Sequence, residues 1–178
     1  MLLTYLIQTQ RACLSRSQVA MNSTEDELDF RGVGGHLTET SFSSIDPSHE
    51  ITRRLKRDRY AWLTTVAPTG VPSPMLVWFD FDGSNFTVYT QPHASRVTHV
   101  FQHPEVSLHL ESDGFGSSLV IVGGKAAVTA EGVDPRDDSG FWAKYHVEAD
   151  ALGLGDAIAS YSVRLTITPT TLRTNLPT

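Results

Sequence analysis

Residues 61–90 read AWLTTVAPTGVPSPMLVWFDFDGSNFTVYT, and this stretch decides the fold. It contains three runs rich in aromatic and β-branched residues, which favour extended backbone and therefore predict strands at 61–66, 71–81 and 86–90. The segments between the runs, APTG and FDGSN, carry the residue types that tight turns require. Because Pro72 and Pro74 cannot donate a ladder hydrogen bond, the second run is predicted at a sheet edge or with a bulge.

The rest of the chain also contains short runs that predict strands. Three further strands are predicted, at 105–111, 118–131 and 161–170. Two adjacent glycines inside the second of these strands, Gly123 and Gly124, indicate a bulge or a close backbone approach. Helical spacing of apolar residues predicts a helix over 93–103 and a broken one over 141–159. Six short strands without βαβ alternation predict a mainly β fold, a six-stranded antiparallel Greek-key-like barrel with short peripheral helices.

Composition limits the classes of function. The formal net charge of the 178 residues is −6, which argues against nucleic acid as a partner, because phosphate binding favours a basic face. No apolar run approaches the roughly 20 residues that span a bilayer, so no membrane segment is expected. Cys13 is the only cysteine, which excludes an intrachain disulfide and suits a reducing, cytoplasmic location.

The first part of the chain differs in composition from the remainder. Residues 1–48 are rich in Ser, Thr, Gly and acidic residues and show no lasting periodicity. They are predicted to form a flexible N-terminal extension. Residues 49–178 are predicted to form the barrel domain.

Four of the seven histidines lie within 89–110: His93, His99, His103 and His109. His99 and His103 share a predicted helix face at a spacing that zinc can use, but no acidic residue joins them there. His109 lies on the polar face of its strand, and His93 precedes the helix. Since the four side chains point in different directions, we interpret them as ordinary surface histidines and predict no metal site.

The same stretch supports a different kind of site. A strand ends at Thr90, and the first turn of the next helix holds Ser95 and Arg96. Free N–H groups and the positive end of the helix dipole gather at a helix N-terminus. An arginine and a hydroxyl in that position can form an anion pocket suited to phosphate. Spacing alone leaves a second interpretation open, in which Ser95 caps the helix and Arg96 faces water.

Several separate motifs, in order, resemble the pyridoxamine-phosphate-oxidase-like split-barrel family. They lie within residues 50–173 and read PSPMLVWFDFDG (72–83), YTQPHASRVTHV (89–100), HPEVSLHLE (103–111), AKYH (143–146) and YSVRLTITP (161–169). Within the family, they are most similar to the actinobacterial branch that uses the deazaflavin coenzyme F-420.

The resemblance implies a homodimer of the FMN-binding split-barrel type, with the cofactor at the dimer interface. The implied activity is hydride transfer between F-420 and a small organic acceptor, in which the cofactor performs the chemistry and no catalytic side chain is identified. The implied cofactor-binding residues are Met75, Leu76, Val77, Trp78 and Phe79 along the ring, Tyr89 and Thr90 beside the side chain, and Ser95 and Arg96 at the phosphate. Trp78, Trp142 and Tyr145 are candidates for pocket walls or for core and interface packing.

Departures from the family pattern separate the chain from true pyridoxamine phosphate oxidases. Those enzymes have phosphate-binding arginine and lysine where this chain has Pro74 and Phe79, and a lysine where it has Val97. The ending TLRTNLPT also lacks their C-terminal Arg-x-His. The sequence therefore argues against vitamin B6 oxidation. Two alternatives remain: an FMN-binding oxidase or flavin reductase of the same fold, and a non-catalytic dimer that binds flavin or haem.

Overall fold

A computed structural model describes residues 37–44, 50–114 and 118–175. Its strands are β1 (Thr38–Ser41), β2 (Tyr60–Val66), β3 (Pro72–Trp78), β4 (Asp80–Phe81), β5 (Phe86–Thr90), β6 (Glu105–Leu110), β7 (Val120–Glu131) and β8 (Val163–Thr174). Its α-helices are α1 (Glu50–Arg57), α2 (Ser95–Gln102) and α3 (Ser139–Ala151). Short 3-10 helices occupy Phe42–Ser44, Pro135–Asp137 and Gly155–Ser160. None of the described helices is both long and apolar enough to cross a membrane.

All eight strands belong to one antiparallel sheet. Its order is β3-β2-β6-β7-β8-β5-β4, with β1 paired to the second half of β8. The strands β3 and β5 are separated by four others in the sheet, yet they approach each other in space. The sheet therefore curls until its two edges nearly meet, and the gap between them is bridged by helices. The prediction of a mainly β antiparallel fold with few helices is confirmed, although the described residues form eight strands rather than six.

The two long strands carry the predicted irregularity. The register of β7 against β8 shifts between Gly123 and Gly124, which confirms the predicted bulge. A Cβ on Gly124 would lie 2.7 Å from the backbone oxygen of Thr168, so the strands approach too closely there for any larger residue. The edge position of β3 likewise confirms what Pro72 and Pro74 indicated.

The core lies inside the curled sheet. Alternate residues of β6 point inward, and Val106, Leu108 and Leu110 are buried as their spacing predicts. Phe79, Phe81 and Phe86 join them in one apolar cluster. This cluster removes the inner face of the barrel from water, which is the main stabilising contribution to such a fold.

Residues 37–44, which the sequence places in a flexible extension, instead pack on the barrel. Strand β1 pairs with residues 171–174 of β8, and Phe42 packs edge-on against Phe81 and Phe86 at centroid distances of 5.8 and 6.0 Å. The polar sequence TETS has no apolar alternation, so its pairing with a distant strand left no local signal. Residues 1–36 and 45–48 of the predicted extension lie outside the described residues.

Candidate functional site

A cavity of about 340 Å³ lies beside the outer edge of β3, where the sheet fails to close. Six of the nine residues predicted to bind a cofactor line it: Met75, Leu76, Val77, Trp78, Tyr89 and Arg96. They come from β3, β5 and α2, which are separate in the sequence. The fold therefore brings together most of the residues that the sequence motifs indicated.

Strand β3 contributes the cavity wall through its free edge. Among the described strands it pairs with β2 alone, so alternate backbone N–H and C=O groups on its other side have no described strand partner. Both inward and outward side chains reach the cavity, because it faces the edge of the strand rather than one of its faces. A planar ligand with polar groups along its rim can hydrogen-bond to such an edge.

Helix α2 places a cation in the wall. Its N-cap is Ala94, which makes no side-chain capping bond, and Ser95 is exposed in the first helical position. The alternative that Ser95 caps the helix is therefore wrong. Arg96 lines the cavity instead of facing open water, and burial lowers the pKa of its guanidinium, an effect that nearby Tyr161 partly offsets.

No described residue forms a hydrogen bond or an ion pair with Arg96. The salt bridges and side-chain hydrogen bonds of the described chain all involve other residues. A guanidinium that loses hydration without gaining an acceptor is costly. Arg96 therefore lines the cavity as a partly desolvated cation whose planar array of donors is not used by any described residue.

The Tyr89 hydroxyl is fixed by Asp138 at the start of α3. It donates to Oδ2 of Asp138 at 3.0 Å, while Oδ1 of the same carboxylate accepts from the backbone N–H of Phe141 at 3.1 Å. Burial, together with the neighbouring carboxylate, raises the pKa of Tyr89 to about 12. Asp138 thus caps α3 and joins this helix to the cavity wall, and Tyr89 stays neutral near pH 7.

Helix α3 also fixes the end of β3. The fully buried Tyr145 accepts a hydrogen bond from the Phe79 N–H at 2.9 Å, and its hydroxyl lies 2.7 Å from the Phe79 carbonyl and 2.5 Å from the Arg59 carbonyl. Its ring stacks on Trp78 with centroids 4.6 Å apart and planes 5° from parallel. The Tyr145 ring therefore packs against Trp78 and fixes the orientation of this cavity-lining side chain.

Lys144 also contacts the Phe79 backbone at the end of β3. Its Nζ donates to the Phe79 carbonyl at 2.9 Å and lies 4.3 Å from the centroid of the Phe79 ring. Burial lowers the pKa of Lys144 to about 8, with nearby Asp80 acting in the opposite direction. Lys144 and Tyr145 of the AKYH motif thus hold the backbone where β3 ends, rather than lining the cavity.

Three of the predicted cofactor-binding residues do not line the cavity. Phe79 and Thr90 are buried in the protein, and Ser95 is exposed at the start of α2. Trp142, a candidate wall residue, lies beside His146 on α3 and is also outside the cavity lining. The roles of Phe79, Thr90 and Ser95 in binding stay predictions.

Sequence reasoning missed the opposite wall. It consists of Phe141 and Leu152 from α3 and its C-cap, followed by Leu154, Ile158 and Tyr161. The local signals were the interruption of helical spacing at Gly153 and Gly155 and the aromatic residue opening YSVRLTITP. Neither signal reveals that this segment returns to face β3.

The histidines occupy different environments. His99 is buried, contrary to its interpretation as a surface residue, and its Nδ1 lies 2.9 Å from the Thr65 hydroxyl. His109 is on the polar side of β6, with Nε2 2.9 Å from the Ser107 hydroxyl. Within the described ranges, no group of three His, Cys, Asp or Glu residues is placed to hold a metal ion.

Comparison with known proteins identifies the fold. The family model for pyridoxamine 5'-phosphate oxidase matches residues 47–174. A solved structure described as an F420 reductase is similar, with a TM-score of 0.54 and 20% identity over 72% of this chain and 98% of the other. A putative pyridoxamine 5'-phosphate oxidase from Listeria innocua gives a TM-score of 0.53 and 19% identity, covering 71% and 97% of the two chains.

A third solved structure, an FAD-binding protein from Mesorhizobium loti, gives a TM-score of 0.52 and 16% identity over 77% of this chain and 97% of the other. No curated protein sequence matched the chain. At these identities the solved structures establish the fold, and the predicted split-barrel type is confirmed.

Proposed function

The chain belongs to the pyridoxamine 5'-phosphate oxidase family, and we propose that it is an oxidoreductase that transfers a hydride between the deazaflavin coenzyme F-420 and a small organic acceptor. The observation that carries this proposal is the state of Arg96. It is a partly desolvated cation, without a hydrogen-bonding partner among the described residues, at a cavity lined by a free strand edge and Trp78. Such a site suits a planar molecule that carries a phosphate.

The residues present fit that cofactor. The cavity of about 340 Å³ falls in the range of small-molecule sites, which begins at roughly 300 Å³. Residues 75–78 would hold the ring through the free edge of β3, and Arg96 would bind the phosphate with Ser95 beside it. Tyr89 and Thr90 would flank the chain that joins ring and phosphate.

The protein's contribution to the chemistry is binding, orientation and exclusion of water. When bound, the deazaflavin supplies the hydride. The apolar wall opposite β3 shields the reacting face, and the described lining contains no carboxylate that could act as a general acid or base.

Oxidation of vitamin B6 phosphates is not part of the proposal. Phe79 occupies a position where the resemblance would require a phosphate-binding lysine, and its side chain is completely buried. Pro74 cannot supply the corresponding positive charge. Arg96 is the cation that the lining offers for a phosphate.

We also propose that the protein is a homodimer, with the second copy packed on β2 and β3 beside the cavity so that the cofactor lies at the interface. Trp62 and Leu76 are direct cross-strand partners and are 42% and 47% exposed. Tyr60, Val71 and Met75, on or beside the same two strands, are exposed as well. Contiguous exposed apolar side chains of this kind are typical of interfaces, and these adjoin the cavity.

The test is a titration of the purified protein with F-420 and, separately, with FMN, following the fluorescence of each cofactor. Binding of F-420 in preference to FMN, followed by oxidation of reduced F-420 by an acceptor, supports the proposal. Preference for FMN would assign the protein to a flavin-dependent oxidase or reductase. If neither binds, a hydride-transferring function is refuted, and haem binding becomes the next measurement. Light scattering tests the dimer independently.

A further inference from the structure

The side chains of the wall opposite β3 indicate which class of acceptor the cavity can bind. Helix α3 ends in a Schellman motif, in which the Leu154 N–H bonds to the Ala149 carbonyl at 2.9 Å and the Gly153 N–H bonds to the Asp150 carbonyl at 3.0 Å. Gly153 has a φ of 64°, which a side chain would strain. This ending turns the chain sharply, so that Leu154 follows Leu152 along the cavity.

The wall is apolar apart from the Tyr161 hydroxyl. Ile158, in the 3-10 helix Gly155–Ser160, is buried at the base, and Leu154 is half-buried. Leu152 lines the cavity although its side chain is 63% exposed. A leucine left in water at the rim of a cavity gains free energy when an apolar ligand covers it.

Two of the three ionisable side chains that line the cavity are already assigned. Among the described lining residues, the ionisable side chains are Tyr89, Arg96 and Tyr161. The Tyr89 hydroxyl donates to Asp138, and Arg96 is the proposed phosphate ligand. A cationic acceptor would meet Arg96 without a compensating carboxylate, and an anionic one would compete with the cofactor's phosphate. An acceptor rich in hydroxyl groups would lose hydration and find, among the described lining side chains, only the Tyr161 hydroxyl as an unassigned partner.

We infer that the wall of Leu152, Leu154 and Ile158 selects a neutral, predominantly apolar acceptor, whose apolar body packs against these three side chains. This inference rests on the proposed function and deepens it. It assigns the acceptor's chemical class to residues outside the predicted cofactor contacts. Leu152 acts at the rim as a specificity-determining residue.

The test measures binding rather than turnover. The full chain, saturated with whichever oxidised cofactor binds in the titration, is titrated by calorimetry with 1-naphthylmethanol, 1-naphthylmethylammonium and 1-naphthylacetate. These probes share one ring system and differ in charge. We expect the neutral probe to bind at least tenfold more tightly than either charged probe. Equal affinities, or preference for a charged probe, would overturn the inference.

Two exposed apolar residues of α3 and its C-cap provide a matched pair of variants. Leu152→Ser should weaken binding of 1-naphthylmethanol about fivefold to tenfold, the value for partial loss of a buried leucine contact. Val147→Ser removes a side chain of similar exposure, 60%, outside the cavity lining, and should change nothing. Val147→Ser should also leave cofactor affinity unchanged, and probe binding to Leu152→Ser is measured at a cofactor concentration that saturates that variant. An unaltered affinity for 1-naphthylmethanol in Leu152→Ser would remove this wall from the acceptor site.

Failure of this inference differs from failure of the proposed function. If neither cofactor binds, the proposed function fails, and the wall is tested on the cofactor-free chain with the neutral and the cationic probe. Preference for the neutral probe is still expected there, because Arg96 is present and the described lining offers no carboxylate. If a cofactor binds and the charged probes bind as well as the neutral one, only the acceptor class is wrong.

Discussion

Replacing Arg96 by alanine should separate ligand binding from stability. A charge-assisted hydrogen bond contributes about 1.5–3 kcal/mol, which corresponds to a roughly 10- to 150-fold increase in the cofactor's Kd. Because no described residue bonds to the guanidinium, its removal should cost the fold little, within about 0.5 kcal/mol. Relief of a partly desolvated charge acts in the favourable direction.

The assay combines fluorescence titration of the cofactor with urea unfolding of the same preparations. Arg53→Ala is the matched control, since Arg53 is exposed on α1 and pairs with Glu50 at 2.9 Å, away from the cavity. Its affinity for the cofactor should equal that of the parent chain. Arg96→Lys should fall between the parent and Arg96→Ala, because lysine keeps the charge and loses the planar donor array.

Two results would refute the reasoning. Unchanged cofactor affinity in Arg96→Ala would show that the phosphate lies elsewhere. A large loss of unfolding free energy in that variant would show that Arg96 stabilises the fold, so that weaker binding could not be attributed to a lost phosphate contact. Raising the salt concentration provides a further check, since the difference between the parent and Arg96→Ala should shrink as charges are screened.

Three other predictions concern the stability of the fold. Tyr145→Phe keeps the stacking on Trp78 but leaves the Phe79 N–H without its acceptor, and should lower the unfolding free energy by about 1–3 kcal/mol, measured by urea titration. Gly124→Ala should cost about 1–3 kcal/mol through overpacking against Thr168, whereas Gly140→Ala, with 3.4 Å to its nearest neighbour, should be neutral or stabilising in the same measurement. Burial lowers the folded-state pKa of Lys144 to about 8 from an ordinary value of 10.5. Between these values the unfolded chain binds more protons than the folded chain, so the unfolding free energy should rise with pH from about 8 to 10. Lys144→Met should show a smaller rise, and equal slopes of unfolding free energy against pH in the two proteins would contradict the assignment.

Local sequence signals were sufficient where a single strand or turn decides the outcome. Pro72 and Pro74 cannot donate hydrogen bonds in a central strand, and β3 is an edge strand. The pair Gly123 and Gly124 lies where the register of β7 shifts. In each case the physical constraint resides in the residue itself, so its consequence is readable without the fold.

Signals were insufficient where distant segments meet. The pairing of β1 with β8 depends on residues 171–174, which lie 130 to 136 positions further along the chain, and nothing in TETS indicates this partner. Tyr145 was interpreted as a wall residue or as packing, because only the fold shows that its hydroxyl reaches the backbone of Phe79. Motifs can indicate that residues act together, but the division between those that line a site and those that support it is set by packing.

The geometry of the unclosed sheet explains why the site lies where it does. A fully closed barrel would pair both edges of β3 and leave no backbone groups for a ligand. In the part of the chain that the structure describes, the outer edge of β3 stays open. Helix α3 spans the gap, because Asp138 at its N-terminus bonds to Tyr89 on β5 and Tyr145 bonds to the backbone at the end of β3. Since the same helix then supplies Phe141 and, just past its end, Leu152 and Leu154, one element both fixes the width of the cavity and determines the chemistry of its far wall. Substitutions in α3 should therefore alter acceptor binding through Leu152 and Leu154, and cofactor binding through Asp138 and Tyr145, as separable effects.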